Sequence, residues 1–247
     1  MQTIPLISLL KENASLFSQV VPFSPGKEKL LLLDFTTANI ELTEPVLQNT
    51  RLFTNYINEK LNNAGARYGI GGYAEHRTVY SRSKLFGFSQ VSPPTGGGDL
   101  EGAEPRRLHL GMDIWGKPHT VVMAPLNGIV HSFSFNDVFG DYGATIILTH
   151  QLKGISFYTL YGHLSLNSIK NIQEGELVFK GDIFAEFGIP SENGQWPPHL
   201  HFQIINDMGE WRGDYPGVCK YSEREKYLEN CPDPDLILGM MKYTTKI

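Results

Sequence analysis

The chain of 247 residues has little of several features that define protein classes. It has two cysteines, Cys219 and Cys231, outside any CxxC motif, so we interpret them as ordinary thiols rather than as a disulfide framework or zinc ligands. Lysine and arginine number 21 against 26 aspartates and glutamates, giving a net charge of −5. Without a basic stripe, the composition predicts no nucleic-acid or membrane partner.

Long apolar segments are also absent from the sequence. The N-terminal apolar run is interrupted by Lys11 and Glu12, and no basic residue precedes it, so it lacks the pattern of a secretory signal. No stretch has the length of a transmembrane helix. We therefore expect a cytoplasmic protein that begins with a short amphipathic helix, with Ile7, Leu10 and Phe17 facing a core.

Three zones follow one another along the chain. Residues 1–90 mix helix and strand patterns and predict an N-terminal α+β extension. Residues 91–206 predict a β domain, with its main motifs at 109–204. Residues 207–247 predict a tail that packs on this domain through a terminal helix starting near Asp233-Pro234.

The extension and the linker after it have their own local signals. The apolar run Lys29–Phe35 is typical of a buried strand. Apolar side chains at helical spacing predict a helix from Pro45 to about Asn63, ended by Gly65. Residues 91–105 are rich in glycine and proline and predict a loop.

Short β-forming runs separated by turn residues fill the zone from residue 108 to about residue 206. Glycine-containing turns at 127–128 and 180–181 favour a mostly antiparallel sheet, so the fold class is mainly β. The predicted strands are Thr120–Met123, Gly128–Phe133, Thr145–Thr149, Ile155–Tyr161, Leu177–Phe179 and His199–Ile205.

Histidines alternate with apolar residues in the sequence HLHFQI at 199–204. On a strand, alternate side chains share a face. His199, His201 and Gln203 would therefore project together into a groove, while the apolar residues between them face the core. Two imidazoles on one strand face are well placed for one to bind a metal beside the other.

A second candidate pair lies in the sequence HLGMD, with His109 and Asp113 four residues apart. A fully extended chain would separate these side chains by about 13 Å. A single zinc ion needs each donor atom within about 2.0–2.2 Å. The backbone must therefore bend between them, and Gly111 is the residue able to bend it. Two histidines, one carboxylate and an open position are typical of a catalytic zinc site.

His163 ends a strand-like run in the sequence YGHL. On its own, such a histidine is more often a hydrogen-bonded residue at a strand end than a catalytic group. Together, however, HLGMD, YGHL and HLHF, in this order, resemble the three signatures of the lysostaphin-like zinc metallopeptidases. These enzymes cut peptide bonds in bacterial cell-wall cross-links. The resemblance covers about residues 105–206.

The resemblance implies a lysostaphin-like antiparallel β core and one Zn²⁺ per chain. It implies that His109, Asp113 and His201 bind the metal. It also implies that His163 and His199 act on the attacking water and on the oxyanion, with either one as the general base.

Substrate contacts are predicted from neighbouring residues. The sequence leading to HLHF contains Trp196 where the family has a Gly/Ser/Thr-rich stretch, and Gln203 stands where glutamate often follows. Trp196 either lines the groove or fills a packing gap. We predict that Arg77 and Tyr80 bind an anionic end of the substrate; the alternative is a turn with structural hydrogen bonds.

The predicted function is zinc-dependent hydrolysis of an amide bond in a short peptide, with peptides of the peptidoglycan type as the first candidates. Two alternatives stay open. The chain could hydrolyse a small intracellular amide metabolite at the same site, or it could be a non-catalytic binding or regulatory module that retains the fold.

Overall fold

The computed structural model describes residues 6–87 and 104–245. The strands are β1 (Leu30–Leu32), β2 (Tyr68–Gly71), β3 (Arg106–His109), β4 (Met112–Trp115), β5 (Val121–Met123), β6 (Gly128–Asn136), β7 (Gly143–Leu152), β8 (Ile155–Leu164), β9 (Leu177–Val178), β10 (Ile183–Glu186), β11 (His199–Ile205), β12 (Val218–Lys220) and β13 (Thr244–Thr245). The α-helices are α1 (Leu6–Glu12), α2 (Glu44–Gln48), α3 (Thr50–Ala64), α4 (Leu166–Lys170), α5 (Arg224–Asn230) and α6 (Asp235–Leu238). The loop predicted for residues 91–105 falls, except for its last two residues, outside the described part of the chain.

A nine-stranded sheet organises the molecule, in the order β13-β1-β2-β4-β11-β8-β7-β6-β9. The pairs of β1 with β13 and with β2 are parallel, and the other pairs in this sheet are antiparallel. Two antiparallel pairs, β5 with β10 and β3 with β12, stand beside it. The mainly β, mostly antiparallel fold is therefore confirmed, and all six predicted strands are present.

The sheet runs from the N-terminal extension into the β domain without a break. Strand β2 pairs with β4, so that Gly71 lies opposite Asp113. Side chains from both ends of the chain, including Leu10 and Ile237, belong to the same buried cluster as Phe202 of the central strand β11. The sheet and its core thus extend across the boundary predicted near residue 90.

The helical segments differ from the sequence-based expectation in extent. The helix predicted from Pro45 is divided into α2 and α3 at Asn49, whose extended backbone interrupts it. The Asn49 side chain accepts hydrogen bonds from the backbone N–H groups of Arg51 and Leu52, which is the arrangement of a helix N-cap. Helix α3 ends at Gly65 as predicted, with a left-handed φ of 58°.

Both ends of the described chain pack on the sheet by short helices. Helix α1 buries Leu10, but Ile7 is 41% exposed, so the predicted inward orientation of Ile7 is wrong. The predicted terminal helix is a single turn, α6, which ends at Gly239, and it follows an unpredicted helix, α5. Across residues 6–87 and 104–245, no helix combines the length and the apolar character needed to cross a membrane.

Candidate metal centre

Three buried side chains that the sequence analysis selected lie together at one point of the sheet. Their facing atoms are His109 Nε2, Asp113 Oδ1 and His201 Nδ1. The two histidine nitrogens are 2.9 Å apart, and they lie 3.3 Å and 3.1 Å from the aspartate oxygen. The exposed fraction of each residue is 3% or less.

Strand register brings two of these residues face to face. On the antiparallel pair β4–β11, Asp113 lies opposite His201, and Trp115 lies opposite His199. Residues that are directly opposite, and residues two apart on one strand, share a face of the sheet. On the other side of β11, the residue opposite His201 is Gly162, which has no side chain. This face of the sheet therefore has room for a site.

Gly111 allows His109 to approach the other two ligands. His109 ends β3, which pairs with β12 outside the main sheet, while Asp113 lies on β4 within it. The chain passes between the two sheets at Leu110 and Gly111. A Cβ atom on Gly111 would lie 2.4 Å from Cε1 of His201, so only glycine leaves space for the ring.

Hydrogen bonds on the outer sides of both imidazoles determine their tautomers. His109 Nδ1 lies 2.9 Å from the carbonyl oxygen of Gly72, which can only accept, so Nδ1 carries the hydrogen. His201 Nε2 lies 2.9 Å from Gln203 Oε1. The Gln203 amide nitrogen donates to the carbonyl of Pro216 at 3.2 Å, which turns Oε1 towards His201. With its hydrogen on the outer nitrogen, each ring directs a free lone pair towards Asp113.

This donor set fits a zinc ion. Three lone pairs meet without a hydrogen between them, and a cation relieves their repulsion. Zinc bonds of about 2.0–2.1 Å in tetrahedral geometry place donors about 3.3 Å apart, close to the separations found here. Burial lowers the pKa of His109 to about 3, with a further contribution from Arg77. Burial alone would raise the pKa of Asp113, but the buried cation of Arg77, paired with its other oxygen, holds that pKa well below its usual range.

His199 lies between two rings beside the three donors. Its ring stacks on Trp115 with centroids 3.8 Å apart and lies 4.0 Å from the ring of His163 on the other side. Nδ1 donates to the carbonyl of Pro197 at 2.8 Å, so Nε2 is the free acceptor. Burial lowers the pKa of His199 to about 4.

His163 reaches the site through an irregularity in β8. The register between β7 and β8 shifts at Gly162 and His163, which is a β-bulge, and His163 has a left-handed φ of 62°. Bulges and left-handed non-glycine residues are enriched at functional sites, where they redirect a side chain. His163 Nδ1 donates to the carbonyl of Asn193 at 2.9 Å. Burial, followed by the neighbouring ring of His199, keeps the pKa of His163 well below its usual value.

A pocket of about 220 Å³ opens on Asp113, His163, His199 and His201. Its walls are largely aromatic and carry a few charged groups. The other lining residues that matter for its chemistry are Tyr80, Tyr142, Trp196, Trp211, Tyr215, Arg106, Asp141 and Asp214. Burial, with the nearby Asp214, raises the pKa of Asp141 to about 6.

The residues predicted to contact substrate all line this pocket. Trp196 is 3% exposed and packs edge-on against Phe53 of α3 and against Tyr80, so it fills space between α3 and the site as well as forming a wall. Arg77 is 1% exposed and forms ion pairs with Asp113 and Glu75. The substrate contacts of Arg77, Tyr80 and Trp196 stay predictions, but the contact that the structure shows for Arg77 is with a predicted metal ligand.

Sequence reasoning missed the residues that orient the site. Trp115 stands two positions after Asp113 on β4, so the alternation of side chains on a strand could have placed it on the same face. Gln203 was placed on the same strand face as His201, but its hydrogen bond to His201 was not predicted. The carbonyl of Gly72 has no signal in the sequence, because any residue provides a carbonyl.

Comparison with known proteins gives a consistent result. The sequence profile described as Peptidase family M23 matches residues 107–212. An L-Ala--D-Glu endopeptidase of Bacillus subtilis is 30% identical over 138 residues, which are 53% of this chain and 40% of that protein. The chain thus spans about two fifths of the length of this relative.

Solved structures of peptidases are also similar to this chain. The catalytic domain of lysostaphin from Staphylococcus simulans is 22% identical, with a TM-score of 0.38 over 70% of this chain and 97% of that one. A zinc-containing peptidase from Vibrio cholerae is 23% identical, with a TM-score of 0.32 over 49% of this chain and 34% of that one. The segment matched by the family profile contains the three metal-facing residues together with His163 and His199. Residues 107–212 of this chain thus match the profile of Peptidase family M23, and the match is limited to that segment.

Proposed function

We propose that the chain is a zinc-dependent metallopeptidase that hydrolyses an amide bond in a short peptide of the peptidoglycan type. The observation that carries the proposal is the set of three buried donor atoms on His109, Asp113 and His201, which lie 2.9–3.3 Å from one another. The family of residues 107–212 supports the reaction class. The name of the Bacillus subtilis relative, an L-Ala--D-Glu endopeptidase, supports the substrate class.

The residues present fit the chemistry of amide hydrolysis. A zinc ion held by the three donors would supply Lewis acidity, which polarises a carbonyl and lowers the pKa of water to about 7. His163 and His199 are neutral at pH 7, because burial lowers the pKa of both. Each presents a free Nε2 that can take a proton from water and later donate it. Their Nδ1 atoms are held by the carbonyls of Asn193 and Pro197, which fixes the ring orientations.

Packing around these histidines limits their movement. His199 is held between Trp115 and His163, at 3.8 Å and 4.0 Å. A ring confined in this way keeps its Nε2 in one place and does not need to be ordered when substrate arrives. Whichever of the two histidines takes the proton from water then carries a hydrogen on Nε2, which it can donate to the oxyanion or to the leaving nitrogen.

Metal content and hydrolysis together test this assignment. After chelation and reloading, the wild type should retain one zinc per chain, whereas His109→Ala and His201→Ala should lose both zinc and activity. His199→Ala and His163→Ala should retain zinc and lose hydrolysis by about 10²–10⁴-fold, the usual effect of removing a general acid or base. His119→Ala is the matched control, because the His119 side chain is 58% exposed and lies outside the pocket.

Two outcomes would contradict the proposal. Wild-type affinity for zinc in His109→Ala would show that the metal binds elsewhere. A zinc-loaded wild type without activity on any amide would support the non-catalytic alternative.

A substrate screen separates peptidase from metabolite hydrolase. The screen should contain L-Ala–D-Glu peptides, peptides linked through D-alanine, all-L peptides of the same length and simple small amides. The peptides should be short, because the pocket has a volume of only about 220 Å³. Preference for the peptides that contain D-residues would support a substrate of the peptidoglycan class. Cleavage of the small amides alone would favour the alternative that the chain hydrolyses a small amide metabolite.

A further inference from the structure

The carboxylate of Asp113 is held from the side opposite the metal-facing atoms. Its Oδ1 faces His109 and His201, while its Oδ2 forms an ion pair with Nη1 of Arg77. Arg77 lies outside the segment matched by the family profile, just before the short helical turn Val79–Arg82 of the N-terminal extension. The extension therefore reaches a predicted metal ligand through this side chain.

The guanidinium of Arg77 lines the pocket but is held on its other sides by bonded and packed neighbours. Its Nε donates to Glu75 Oε2 at 2.7 Å, and its Nη2 donates to the carbonyl of Gly71 at 3.3 Å. The ring of Phe35 lies 5.0 Å from the guanidinium carbon. A Cβ on Gly72 would fall 1.6 Å from Nη2, so the group lies directly against the backbone there. These contacts leave the guanidinium one orientation.

The charges around Arg77 explain how a cation can stand behind a metal ligand. A lone positive charge there would repel a divalent metal. Glu75 balances it, because its carboxylate lies 2.7 Å from Nε of Arg77 and leaves the pair with no net charge. With its charge balanced, Arg77 acts on Asp113 mainly by orienting the carboxylate, because an arginine guanidinium binds a carboxylate oxygen in a fixed direction.

We propose that Arg77 of the N-terminal extension is a positioning residue for the metal centre. It holds Oδ2 of Asp113, so that only Oδ1 is free to bind the metal, and Glu75 neutralises its charge. The extension is then a functional part of the peptidase site. This inference rests on the proposed metal site, because it concerns the orientation of one of its ligands.

The affinity of the protein for zinc, measured by competition with a chromophoric chelator, tests this role. In Arg77→Met, Oδ2 of Asp113 loses its buried partner and the carboxylate can rotate. Zinc affinity should fall roughly 10- to 100-fold, the usual effect of removing a group that orients a ligand. Arg77→Lys keeps a charge and one donor, so it should recover only part of this loss. Glu75→Gln, which leaves Arg77 uncompensated, should weaken zinc binding by a smaller factor.

A spectroscopic readout separates orientation from general destabilisation. In the Co²⁺-substituted protein, a carboxylate that binds through one oxygen leaves a four-coordinate metal with strong visible absorption. Arg77→Met should weaken this absorption, because Oδ2 of Asp113 becomes free to coordinate as well. A residue that only supports the fold would lower the unfolding temperature and leave the spectrum unchanged.

Arg82→Met is the matched control. Arg82 is also a buried arginine, 4% exposed, in the turn Val79–Arg82, but its bonded donors go to Thr50 and to the carbonyl of Gln195. It should destabilise the fold and leave zinc affinity within about threefold of the wild type.

The outcomes distinguish this inference from the proposed function. A wild type that binds no zinc contradicts the metal site itself. A wild type that binds zinc, together with an Arg77→Met protein of unchanged affinity and unchanged Co²⁺ spectrum, overturns the positioning role alone. If Arg77→Met does not fold, Glu75→Gln decides, because Glu75 is 17% exposed at its side chain and its replacement leaves no buried gap. Unchanged zinc affinity in that variant would then overturn the inference.

Discussion

The side-chain amide of Gln203 determines which nitrogen of His201 carries a hydrogen. Its NH₂ group donates to the carbonyl of Pro216 and to the thiol of Cys231, at 3.2 Å and 3.3 Å. With both hydrogens engaged, Oε1 can only accept, and it accepts from Nε2 of His201. The lone pair on Nδ1 is thereby directed towards Asp113, where the metal is proposed to bind.

Replacing Gln203 by leucine should therefore weaken zinc binding without removing a ligand. In Gln203→Leu, the Nε2–H group of His201 loses its nearer acceptor and keeps only the hydroxyl of Tyr142 at 3.4 Å, so the tautomer with hydrogen on Nδ1 becomes more accessible. We expect zinc affinity to fall roughly 10- to 100-fold, as is usual when the partner of a histidine ligand is lost. Competition with a chelator at pH 7 measures it.

Gln203→Glu is the matched control for this prediction. It retains an oxygen acceptor for His201, removes the donors to Pro216 and Cys231, and replaces the neutral amide with a carboxyl group. Zinc affinity should stay much closer to wild type than in Gln203→Leu. Equal affinities in both variants would show that the acceptor has no role in metal binding.

At the scale of single elements, the sequence predicted those strands in which apolar and polar residues alternate. Strand β11 was predicted correctly, with His199, His201 and Gln203 on one face, because apolar residues separate them. Strand β4 was not predicted, because its residues Met112–Trp115 are buried on both faces and give no alternating pattern. The bend at Gly111, just before β4, was predicted only because His109 and Asp113 must approach the same metal ion.

The placement of His163 lies beyond what local sequence can predict. Its left-handed φ depends on partners far along the chain, since its N–H donates to the carbonyl of Tyr142 and its own carbonyl accepts from Gly188. A Cβ on Gly162 would lie 2.5 Å from the ring of Tyr142, so the bulge also needs glycine beside it. The YGHL signature identifies the residue, but tertiary packing determines its direction.

The passage from β3 to β4 gives a prediction at this scale. Gly111→Ala places a Cβ 2.4 Å from Cε1 and 2.5 Å from Nε2 of His201. The ring must move, which disturbs both the Nδ1 atom that faces the metal and the hydrogen bond to Gln203. The same Cβ would lie 2.9 Å from the carbonyl oxygen of Phe202, which is backbone, so we expect lower zinc affinity together with a loss of stability. Metal titration together with thermal unfolding checks this.

Gly87→Ala provides the control for the added methyl group. Its Cβ would meet the carbonyl oxygen of Lys84 at 3.6 Å, an ordinary contact. This variant should bind zinc as the wild type does. If Gly111→Ala also does so, the close approach to His201 does not constrain the site.

At the scale of the whole molecule, the sequence predicted the order of the three zones along the chain. It did not predict that the N-terminal extension and the β domain share one sheet. The composition of residues 1–90 indicated an α+β segment beside the site, and the motifs indicated the β core. Whether two segments share a sheet depends on pairings such as β2 with β4, between residues more than 40 positions apart. Local patterns do not encode such a pairing, and it is this pairing that brings Gly72 and Arg77 to the metal centre.

Burial of histidines throughout the core makes the metal-free protein sensitive to acid. His150 is one that lies outside the metal centre: it is 1% exposed and hydrogen-bonded to Asn127 and Thr159. Burial lowers its pKa to about 4. The unfolded chain has the ordinary value of about 6.5 and binds a proton first as the pH falls, so the free energy of unfolding must decrease from about pH 7 towards pH 4.

This reasoning gives a prediction for the metal-free protein in urea at pH 7 and pH 5. In His150→Gln, the decrease in unfolding free energy between these two pH values should be smaller than in the wild type by roughly 2 kcal/mol. The comparison uses the difference between two pH values, so any constant cost of the substitution cancels. An unchanged pH dependence in His150→Gln would mean that His150 binds its proton as readily in the folded protein as in the unfolded chain.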